Sequence, residues 1–593
     1  MGKFLLRFFA VIGVVFTLII SGIWYVGWHI ANRSVAMPKA PESMILTLDL
    51  SKPILDKDSV SPFSAMLRME EDATTSFTIV RAIEKAKDDP RVKGLVAKFG
   101  SEQPSIVHAQ EIRDAVLGFK QSGKPTYAFA PSYGDFGFGN RSYYLASAFG
   151  EIWLQPVGAV GLTGIGVEAP FGKAVLGNLG ITGDFMQREE YKSAMESFTR
   201  DEFSSAAKAN VVDMLGNLSE QIAQGIAVNR NWKIEEVKAL IERGPYTATE
   251  AEHNKLVTKL GYEDEFIQEA ENKVGKDVKR VDADAYLTYS NSDAKPKATV
   301  AIIDGDGLIT DSGAGNLAGD SVMDASTIAE AFFNAAEDKD VKAIIFRINS
   351  PGGSPVASET IRHALIVAKK SKPVFVSMGE VAASGGYWVA MDADHIVASP
   401  ATITGSIGVI SGKFVTSEMW KKLGVKWETL YTSGNAQMWS MLSPFDEKGR
   451  DRVNALMDET YQAFLSGVST ARKIPQEKMP DIAKGRVWTG EQALKLGLVD
   501  ELGGMSTTAL AVKNRLNLAA TDVIELKPFP SEPTPVEFMI KFFKNFGVEG
   551  VALGNLFQDI QKARSAIAPF IGAMSNNDPV SARAPDAFVR AVR

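Results

Sequence analysis

The segment Thr404-Gly-Ser-Ile-Gly-Val-Ile410 is the stretch from which the fold and the function of this chain are inferred. It sets Ser406 between two glycines, at the end of an apolar run and just before a predicted helix. Glycine beside a nucleophile lets the backbone turn sharply and leaves the hydroxyl open to a substrate. Because Gly-Ser-x-Gly is also common in ordinary turns, the motif alone does not separate a nucleophile from a turn residue.

Length and composition limit the possible classes of protein. A chain of 593 residues is too long for one core, and 45% hydrophobic with 23% charged residues is typical of a globular protein. The net charge of -7 argues against a general nucleic-acid binder, which needs a basic face. The chain has no cysteine, which excludes thiol catalysis, disulfides and cysteine-ligated metal sites.

The N-terminal segment resembles a membrane anchor. No charged residue occurs from Phe8 to Trp28, which is enough helix to cross a bilayer, and Lys3 and Arg7 precede it. The residues 34–36 have the small-x-small pattern of a cleavage site, but the apolar run is longer than the core of a signal peptide. We therefore predict an uncleaved anchor with its N-terminus in the cytoplasm and the remaining mass outside the cytoplasm.

Apolar runs of strand length alternate with runs of helical spacing after the anchor. A strand is predicted over Met44–Leu50 and a helix over Ser76–Lys87, followed by runs at Val92–Phe99, Ile106–Phe119, Thr126–Ala130 and Tyr143–Phe149. Strands that alternate with helices indicate βαβ units and a mainly parallel sheet, hence an α/β fold.

Four segments of the first half return in the same order in the second half. The matched pairs are Thr78–Val96 with Thr327–Ile345, Ser122–Tyr127 with Ser371–Phe375, Gly164–Val167 with Ser406–Val409, and Tyr246–Ala251 with Trp488–Ala493. The repetition predicts a tandem duplication of one domain. The predicted domains are an anchor over 1–40, a first domain over 41–281, a polar, turn-rich linker over 282–297, a second domain over 298–527, and a C-terminal extension over 528–593.

The C-terminal extension is predicted to begin with a chain break between Pro528 and Pro535. Residues 536–546 then have the pattern of an amphipathic helix, which either packs on a domain or subunit or contacts the membrane surface. Residues 575–593 are predicted to be a loose tail.

A serine nucleophile needs a base, and the chain offers two kinds. The first kind is histidine, the usual base. The chain has five histidines, which share no motif: His29, His108, His253, His363 and His395. A lysine serves as the base in Ser-Lys pairs, provided that burial lowers its pKa until the amine is neutral. A fall of about 3 pKa units corresponds to roughly 4 kcal/mol, which a dry interface between domains can impose.

Lys192 differs from the surface lysines because it lies among small and apolar residues, Tyr191-Lys-Ser-Ala-Met195. The first copy has Gly164 where the second has Ser406, and the second copy has no lysine around residues 433–436. Each half therefore lacks what the other supplies. This complementarity predicts one complete Ser/Lys site where the two halves meet.

The segment Asn349-Ser-Pro-Gly-Gly-Ser354 follows a predicted strand and precedes a predicted helix. Its two glycines allow backbone N–H groups to approach an oxyanion, although the same segment also suits a simple βα turn. The matching first-copy segment 100–105 lacks the Gly-Gly pair. A rival nucleophile is Ser384 in Ala382-Ala-Ser-Gly-Gly-Tyr387, which is otherwise interpreted as a small residue at a helix start.

Five motifs across both halves resemble the signal peptide peptidase A family, also called protease IV, in its long tandem bacterial form. They are Tyr-Lys-Ser-Ala at 191–194, Asn-Ser-Pro-Gly-Gly-Ser at 349–354, Met-Gly-x-x-Ala-Ala-Ser-Gly-Gly-Tyr-Trp at 378–388, Thr-Gly-Ser-Ile-Gly at 404–408, and Gly-x-Val-Trp-Thr-Gly at 485–490.

The resemblance implies a tandem ClpP/crotonase-like fold and a membrane-anchored serine endopeptidase, with Ser406 as nucleophile and Lys192 as general base. By similarity with ClpP-type sites it implies an oxyanion hole formed by the N–H groups of Gly353 and Ile407. In ClpP the nucleophile falls in the segment that resembles Ala-Ala-Ser384, so Ser384 stays as the alternative.

The implied substrates are hydrophobic remnants of cleaved signal peptides, degraded by a ring of four subunits at the periplasmic side of a bacterial inner membrane. No metal, cofactor or nucleic acid is predicted, and the chain has no phosphate-loop motif. Two other functions stay open: a crotonase-type enzyme acting on an acyl-CoA thioester, which uses the same Gly-Gly device, and a non-catalytic membrane scaffold.

Overall fold

The structure is a computed structural model that describes residues 40–56, 74–135, 137–275, 277–291, 295–311, 321–530 and 580–583. The predicted anchor at Phe8–Trp28, the possible cleavage site at 34–36 and the predicted amphipathic helix at 536–546 lie outside these residues. Across the described part of the chain, no helix has both the length and the apolar composition needed to cross a bilayer.

The described residues between 44 and 291 form the N lobe, in which strands and helices alternate. The strands are β1 (Met44–Leu50), β2 (Ile54–Leu55), β3 (Thr74–Thr75), β4 (Val92–Phe99), β5 (Thr126–Ala130), β6 (Glu151–Leu154), β7 (Ala159–Val160), β8 (Thr182–Arg188), β9 (Tyr246–Thr247), β10 (Lys259–Leu260) and β11 (Lys279–Asp282). The helices are α1 (Ser76–Asp88), α2 (Ile106–Lys120), α3 (Asn140–Ala146), α4 (Lys173–Leu179), α5 (Glu196–Thr199), α6 (Ser205–Arg230), α7 (Ile234–Arg243), α8 (Ala248–His253), α9 (Glu263–Val274) and α10 (Ala283–Asn291).

The described residues between 298 and 529 form the C lobe. Its strands are β12 (Ala298–Asp306), β13 (Leu308–Thr310), β14 (Val322–Asp324), β15 (Val341–Ser350), β16 (Gly352–Gly353), β17 (Val374–Ala383), β18 (His395–Ala398), β19 (Ile403–Gly405), β20 (Val409–Val415), β21 (Val487–Thr489), β22 (Glu501–Leu502) and β23 (Ile524–Phe529). Its helices are α11 (Ala325–Glu337), α12 (Pro355–Lys369), α13 (Gly385–Trp388), α14 (Ser417–Lys422), α15 (Glu447–Arg472), α16 (Met479–Ile482), α17 (Gly490–Lys495) and α18 (Met505–Arg515), with 3-10 turns at Gly434–Gln437 and Gln476–Lys478. A last strand, β24 (Val580–Arg583), follows far along the chain.

The two lobes have parallel sheets with the same strand order. In the N lobe the order is β10-β6-β5-β4-β1-β11, and in the C lobe the path β22-β18-β17-β15-β12-β23 repeats it strand for strand. The predicted α/β class and parallel sheet are confirmed, and the shared order agrees with the duplication predicted from the sequence. The C lobe adds β19 and β21 beside β17.

Strand β8 and helix α6 of the N lobe contact the C lobe and join the two lobes. Strand β8 pairs antiparallel with β20 over seven residues, from Arg188 opposite Val409 to Thr182 opposite Val415. On α6, the buried Asn210 amide donates to the Val487 carbonyl and accepts from the Val487 N–H, both at 2.9 Å. Because β8 is held in this register, the residues that follow Arg188 are brought against the C lobe.

The predicted elements of the first half lie where the patterns placed them. Strand Met44–Leu50 is confirmed residue for residue, and the predicted helix Ser76–Lys87 is α1, which ends at Asp88. Its N-terminus is capped by the Thr75 side chain, which accepts from the Thr78 N–H, and its apolar side chains Ile79, Val80 and Ile83 are buried.

Four expectations differ from the structure. The segment after Ser406 is strand β20, not a helix, because its residues pair with β8. Residues 283–291 of the predicted turn-rich linker form α10, which buries Tyr286 against the N lobe. Pro528 does not break the chain, because β23 continues to Phe529 at a sheet edge, where a missing N–H is tolerated. The predicted loose tail contains β24.

Candidate active site

Lys192 lies in the turn between β8 and α5, and its side chain is completely buried in the C lobe. The Tyr191 N–H donates to the Lys484 carbonyl of the C lobe, which fixes this turn. The next residue, Gly485, has φ +79°, and a Cβ added there would lie 2.6 Å from the Lys192 Cβ. Only glycine therefore allows the C lobe to approach the lysine so closely.

The Lys192 amine contacts three oxygens of the C lobe. Its Nζ lies 2.6 Å from Ser384 Oγ, 3.1 Å from Ser406 Oγ and 3.0 Å from the Ser406 carbonyl oxygen. All three residues are fully buried. The amine of one lobe and the hydroxyls of the other thus meet at one point between the lobes.

Burial lowers the pKa of Lys192 well below its ordinary value of 10.5, because the ammonium form loses its hydration. Burial is the sole cause of this shift, so no carboxylate compensates by stabilising the charge. A lysine in such a place is held ready to act as a neutral base.

The three contacts limit where the amine can accept a proton. A neutral amine has two N–H donors and one lone pair, and the Ser406 carbonyl oxygen can only accept, so one N–H points to it. If the second N–H goes to Ser406 Oγ, the lone pair faces Ser384 Oγ at the shortest distance, 2.6 Å. In that arrangement both N–H groups of the amine donate to Ser406, one to its carbonyl and one to its Oγ. The Ser384 hydroxyl is then the group placed to donate its proton to the amine.

Ser384 occupies a sharp turn between β17 and α13. Its φ of +57° and ψ of -116° are unusual for a residue with a side chain, and its N–H donates to the Gly405 carbonyl. Strand-to-helix turns of this kind hold a nucleophile at the end of a sheet, and strained backbone is concentrated at functional sites. The sequence identified Ser384 only as the rival nucleophile.

Ser406 lies in the turn between β19 and β20. It also has a positive φ, +52°, and its N–H donates to the Arg486 carbonyl at 2.8 Å. Gly405 before it has φ +76°, and a Cβ there would lie 2.7 Å from Trp488. This turn is therefore fixed from both sides.

The Gly352–Gly353 pair lies beside Ser384. A Cβ on Gly385 would come 3.0 Å from the Gly353 nitrogen, so the backbones of the two segments are in contact. A Cβ on Gly353 would come 2.0 Å from the Ile309 carbonyl oxygen, so no larger residue fits. Ile407, the other predicted oxyanion donor, is buried after Ser406, and its carbonyl accepts from the Gly485 N–H.

The N lobe has other groups at the corresponding positions. Helices α3 and α13 correspond, since Tyr143 and Tyr387 each donate their hydroxyl at 2.9 Å to a carbonyl in the equivalent loop, Leu256 or Leu498. Asn140 starts α3 as Ser384 precedes α13. Its amide binds the 163–164 turn through the N–H groups of both residues and the Gly164 carbonyl. At the N-lobe position that corresponds to Ser384, an asparagine therefore stabilises a turn.

The described histidines lie away from Lys192. His108 pairs with Asp56, His395 pairs with Glu501, and the other two lie in α8 and α12. His29 lies outside the described residues.

A buried charged cluster, which the sequence did not reveal, lies between the lobes. Asp56 Oδ1 accepts from Arg347 Nη2 at 2.6 Å and lies 3.2 Å from His108 Nε2, and Arg347 Nη1 lies 3.7 Å from Glu111 Oε1. Asp56, His108 and Glu380 have ligand atoms within 4.8 Å of one another. Since the guanidinium of Arg347 already supplies the positive charge, the cluster is an ion-pair network across the interface.

A family model described as Peptidase family S49 matches residues 118–278 and 367–519, one segment in each lobe. Two curated relatives are named Protease 4. The one from Salmonella typhi is 34% identical over 547 residues, 88% of this chain and 84% of the relative. The one from Haemophilus influenzae is 32% identical over 524 residues, 84% of this chain and 80% of the relative.

A plant relative, Serine protease SPPA, chloroplastic, from Arabidopsis thaliana, is 30% identical over 452 residues, 74% of this chain and 66% of the relative. A solved ClpP1 mutant from Listeria monocytogenes matches at 14% identity and a TM-score of 0.23, covering 34% of this chain and 90% of that chain.

Proposed function

The chain belongs to peptidase family S49 and is a serine protease, and from this premise we propose that it cleaves peptides with a serine activated by the neutral amine of Lys192. The observation that carries the proposal is the environment of that amine. It is fully buried, its pKa is lowered by burial alone, and it contacts two serine hydroxyls of the other lobe.

Ser384 is the nucleophile in this proposal. Its hydroxyl is the nearer of the two, it faces the lone pair of the amine when Ser406 accepts both N–H groups, and its backbone is strained at a strand-to-helix turn. The N–H groups of Gly353 and Gly385, whose backbones are in contact, are the proposed oxyanion donors. Ser406 then orients the amine.

The sequence-based assignment, with Ser406 as nucleophile and Gly353 and Ile407 at the oxyanion, stays as the second candidate. It is favoured by the 3.1 Å distance between Lys192 Nζ and Ser406 Oγ, which is within hydrogen-bonding range. In that arrangement the two serines exchange roles, and Lys192 keeps its own.

The proposed reaction has two steps. Ser384 Oγ attacks the peptide carbonyl while its proton passes to Lys192 Nζ, and the resulting ammonium gives that proton to the leaving amine as the C–N bond breaks. An ester to Ser384 remains. A water then attacks the ester, Lys192 accepts its proton and returns it to Ser384 Oγ, and the second peptide product leaves as its acid. The ammonium form is transiently satisfied by the same three oxygens.

The proposed substrates are hydrophobic peptides such as the remnants of cleaved signal peptides, as the name of the relative Putative signal peptide peptidase SppA suggests. We extend the proposal to an N-terminal membrane anchor, a catalytic part on the periplasmic side of an inner membrane, a ring of four subunits and a ClpP/crotonase-like fold in each lobe. Membership of a peptidase family argues against the acyl-CoA enzyme and the scaffold.

The test is covalent labelling with a peptidyl phosphonate, followed by mass spectrometry of the labelled peptide. We expect the label on Ser384 in the wild type, none in Ser384→Ala, and markedly slower labelling in Lys192→Met. A label on Ser406 would reverse the roles of the two serines. Absence of any label, from a protein that retains its fold by circular dichroism, would refute the Ser/Lys proposal.

A further inference from the structure

A short segment of the C lobe, residues 484–486, binds the lysine turn of the N lobe and the Ser406 turn at the same time. We call it the connecting segment. The Lys484 carbonyl accepts from the Tyr191 N–H at 3.1 Å, which fixes the residue before Lys192. The Arg486 carbonyl accepts from the Ser406 N–H at 2.8 Å. The place of the connecting segment therefore sets the position of the amine relative to the serine turn.

The side chain of Arg486 reaches from the connecting segment to the N lobe. Its Nη2 donates to Asp213 Oδ2 on helix α6 at 3.0 Å. Its guanidinium carbon lies over two rings, 4.2 Å from the ring centre of Trp488 and 5.5 Å from that of Tyr191. A planar guanidinium can pack on an aromatic face and donate from its edge at once, which an ammonium group cannot. Arg486 thus contacts the residue before Lys192 with its side chain.

The ring of Trp488 gives this guanidinium a fixed support in the C lobe. Trp488 Nε1 donates to the Ile482 carbonyl at 2.8 Å, and the residue is 7% exposed. A Cβ on Gly405 would lie 2.7 Å from Trp488, so the serine turn packs against the same side chain. Because its C-lobe partner is fixed, Arg486 can hold its N-lobe partners, Tyr191 and Asp213, in place.

The N lobe has no arginine at the matching position. When Tyr246–Ala251 is aligned with Trp488–Ala493, Gly244 lies opposite Arg486. Both aligned segments form a short strand, β9 or β21, followed by a helix, α8 or α17, that begins with a threonine capping box. A Cβ on Gly244 would lie 1.9 Å from the Leu162 carbonyl oxygen, which excludes any side chain there. The arginine is therefore found only in the lobe that receives a lysine, and the shared fold does not require it.

We propose that Arg486 is a positioning residue that holds the Lys192 amine at the serine hydroxyls by fixing Tyr191 and helix α6 against the connecting segment. The proposal rests on the proposed Ser/Lys mechanism and adds a residue to it. Burial is the sole cause of the lowered pKa of Lys192, so the charge of Arg486 does not act on the amine directly. The proposal also gives a role to the Gly-x-Val-Trp-Thr-Gly motif, whose second residue is Arg486.

The kinetic test measures both the rate constant of phosphonate labelling and the fraction of molecules that become labelled. Arg486→Met removes the ion pair and the planar group but keeps an unbranched side chain. We expect a rate constant about 10–100-fold lower with an unchanged labelled fraction, since a displacement of about 1 Å can have such an effect. An arginine needed only for folding would lower the labelled fraction and leave the rate constant of the folded molecules unchanged.

Arg91→Met is the matched control for this substitution. Arg91 is also partly exposed and pairs with an aspartate, Asp89, but lies in the turn after α1. It should keep the wild-type rate constant and labelled fraction. A wild-type rate constant in Arg486→Met would overturn the proposal.

A second comparison makes the same substitution in a protein without the base. In Lys192→Met protein, Arg486→Met should slow labelling by less than about twofold, because a residue that acts through Lys192 then has nothing to position. Equal factors in the two backgrounds would show that Arg486 acts independently of the lysine and would overturn the proposal. Asp213→Asn is a milder variant at a more exposed position, and it should slow labelling about two- to fivefold in the protein that keeps Lys192.

A measurement of amine access tests the positioning without catalysis. Reductive methylation with formaldehyde and cyanoborohydride is followed by mass spectrometry of the peptide that contains Lys192. The buried amine should be protected in the wild type and in Arg91→Met, and Arg486→Met should be methylated at Lys192 at least about tenfold faster. Equal protection in all three proteins, together with equal labelling, would overturn the proposal. Faster methylation of Arg486→Met, with no serine labelled in the wild type, would support the positioning and refute the catalytic proposal.

Discussion

The N lobe and the C lobe have the same order of parallel strands but different groups at the ends of those strands. Where the C lobe has Ser384 and Ser406, the N lobe has Asn140 and Gly164, and the Gly352–Gly353 pair has no counterpart in the N lobe. The Asn140 amide holds its turn with three hydrogen bonds. The comparison shows that the sheet does not depend on the polar site, because one lobe keeps the architecture without it.

The lysine shows the opposite asymmetry. Lys192 extends from the N lobe into the C lobe, whereas the corresponding C-lobe segment, Gly434–Gln437, is a largely exposed 3-10 turn without a lysine. Each lobe thus supplies a part that the other lacks. The following predictions test whether this division of labour is functional.

The largest effect is expected from removing the hydroxyls that the C lobe contributes to the proposed site. Ser384→Ala should lower kcat/KM for an apolar peptide by about 10³-fold or more, since the proposed nucleophile is lost. Ser406→Gly copies Gly164, suits the positive φ, and leaves the carbonyl that binds Lys192, so a loss of about 10–100-fold is expected. A greater loss in Ser406→Gly than in Ser384→Ala would exchange the two roles.

The close approach of the lobes can be tested at Gly485. Gly485→Ala places a methyl group 2.6 Å from Lys192 Cβ, and displacing the base by about 1 Å can lower kcat/KM about 10²-fold. Gly424→Ala is the matched control, because Gly424 has φ +76° and nothing within 4 Å of an added Cβ. It carries the same backbone strain, about 1–2 kcal/mol, without the contact. Equal activities of the two variants would show that the contact does not position the lysine.

Burial of the Lys192 amine should lower the free energy of unfolding of the wild-type protein. In the unfolded chain Lys192 is protonated up to its ordinary pKa of 10.5, whereas burial depresses the pKa in the folded protein. Folding therefore releases a proton, and the stability of the wild type rises with pH between the two pKa values. Lys192→Met should raise the free energy of unfolding by roughly 1–3 kcal/mol at pH 7, and less at pH 10.

Urea unfolding at both pH values measures this difference. Lys208→Met, on an exposed position of α6, is the control and should change the free energy of unfolding by less than about 0.5 kcal/mol. If Lys192→Met lowered the free energy of unfolding at pH 7, burial of the neutral amine would not be destabilising the wild-type fold.

The smallest effect is expected at the charged cluster between the lobes. Burial alone lowers the pKa of His108, but its hydrogen bond to Asp56 and the charges of Asp56, Glu111 and Glu380 raise it above the ordinary 6.5. Its contribution to stability is therefore complete below about pH 6.5 and is lost as pH rises through the higher folded pKa. His108→Gln should destabilise the protein by about 1 kcal/mol at pH 5.5 and by less at pH 9.

His395→Gln is the control, since that ring pairs with Glu501 at a more exposed edge. Chemical denaturation of the three proteins at pH 5.5, 7 and 9 gives the comparison. A deficit in His108→Gln that grows with pH would contradict the assigned sign.

Much of the fold could be predicted because its strands are short apolar runs in a repeated order. Met44–Leu50 and Thr126–Ala130 carry enough pattern to be bounded from sequence alone. The meeting of Lys192 with a serine also followed from sequence, since two diverged copies of one domain revealed what each had lost. The strand after Ser406 was missed, because its pairing with β8 is a tertiary contact.

The ranking of the two serines could not be predicted. Both stand beside glycines, and what separates them is backbone geometry and two distances, 2.6 and 3.1 Å, to an amine 192 and 214 positions away. The Asp56–Arg347 pair joins residues 291 positions apart and has no local pattern. Strand β24 is recognised by main-chain pairing, which leaves little trace in composition.

The 214 positions between Lys192 and Ser406 also have a consequence for biosynthesis. The ribosome completes the amine-bearing lobe long before it reaches either serine, and that lobe alone has no nucleophile at the matching positions. Under the proposed Ser/Lys mechanism, a nascent chain or a fragment that ends before Ser384 therefore has no complete catalytic site. Under that mechanism, peptide cleavage begins only after both lobes have been synthesised and have packed together.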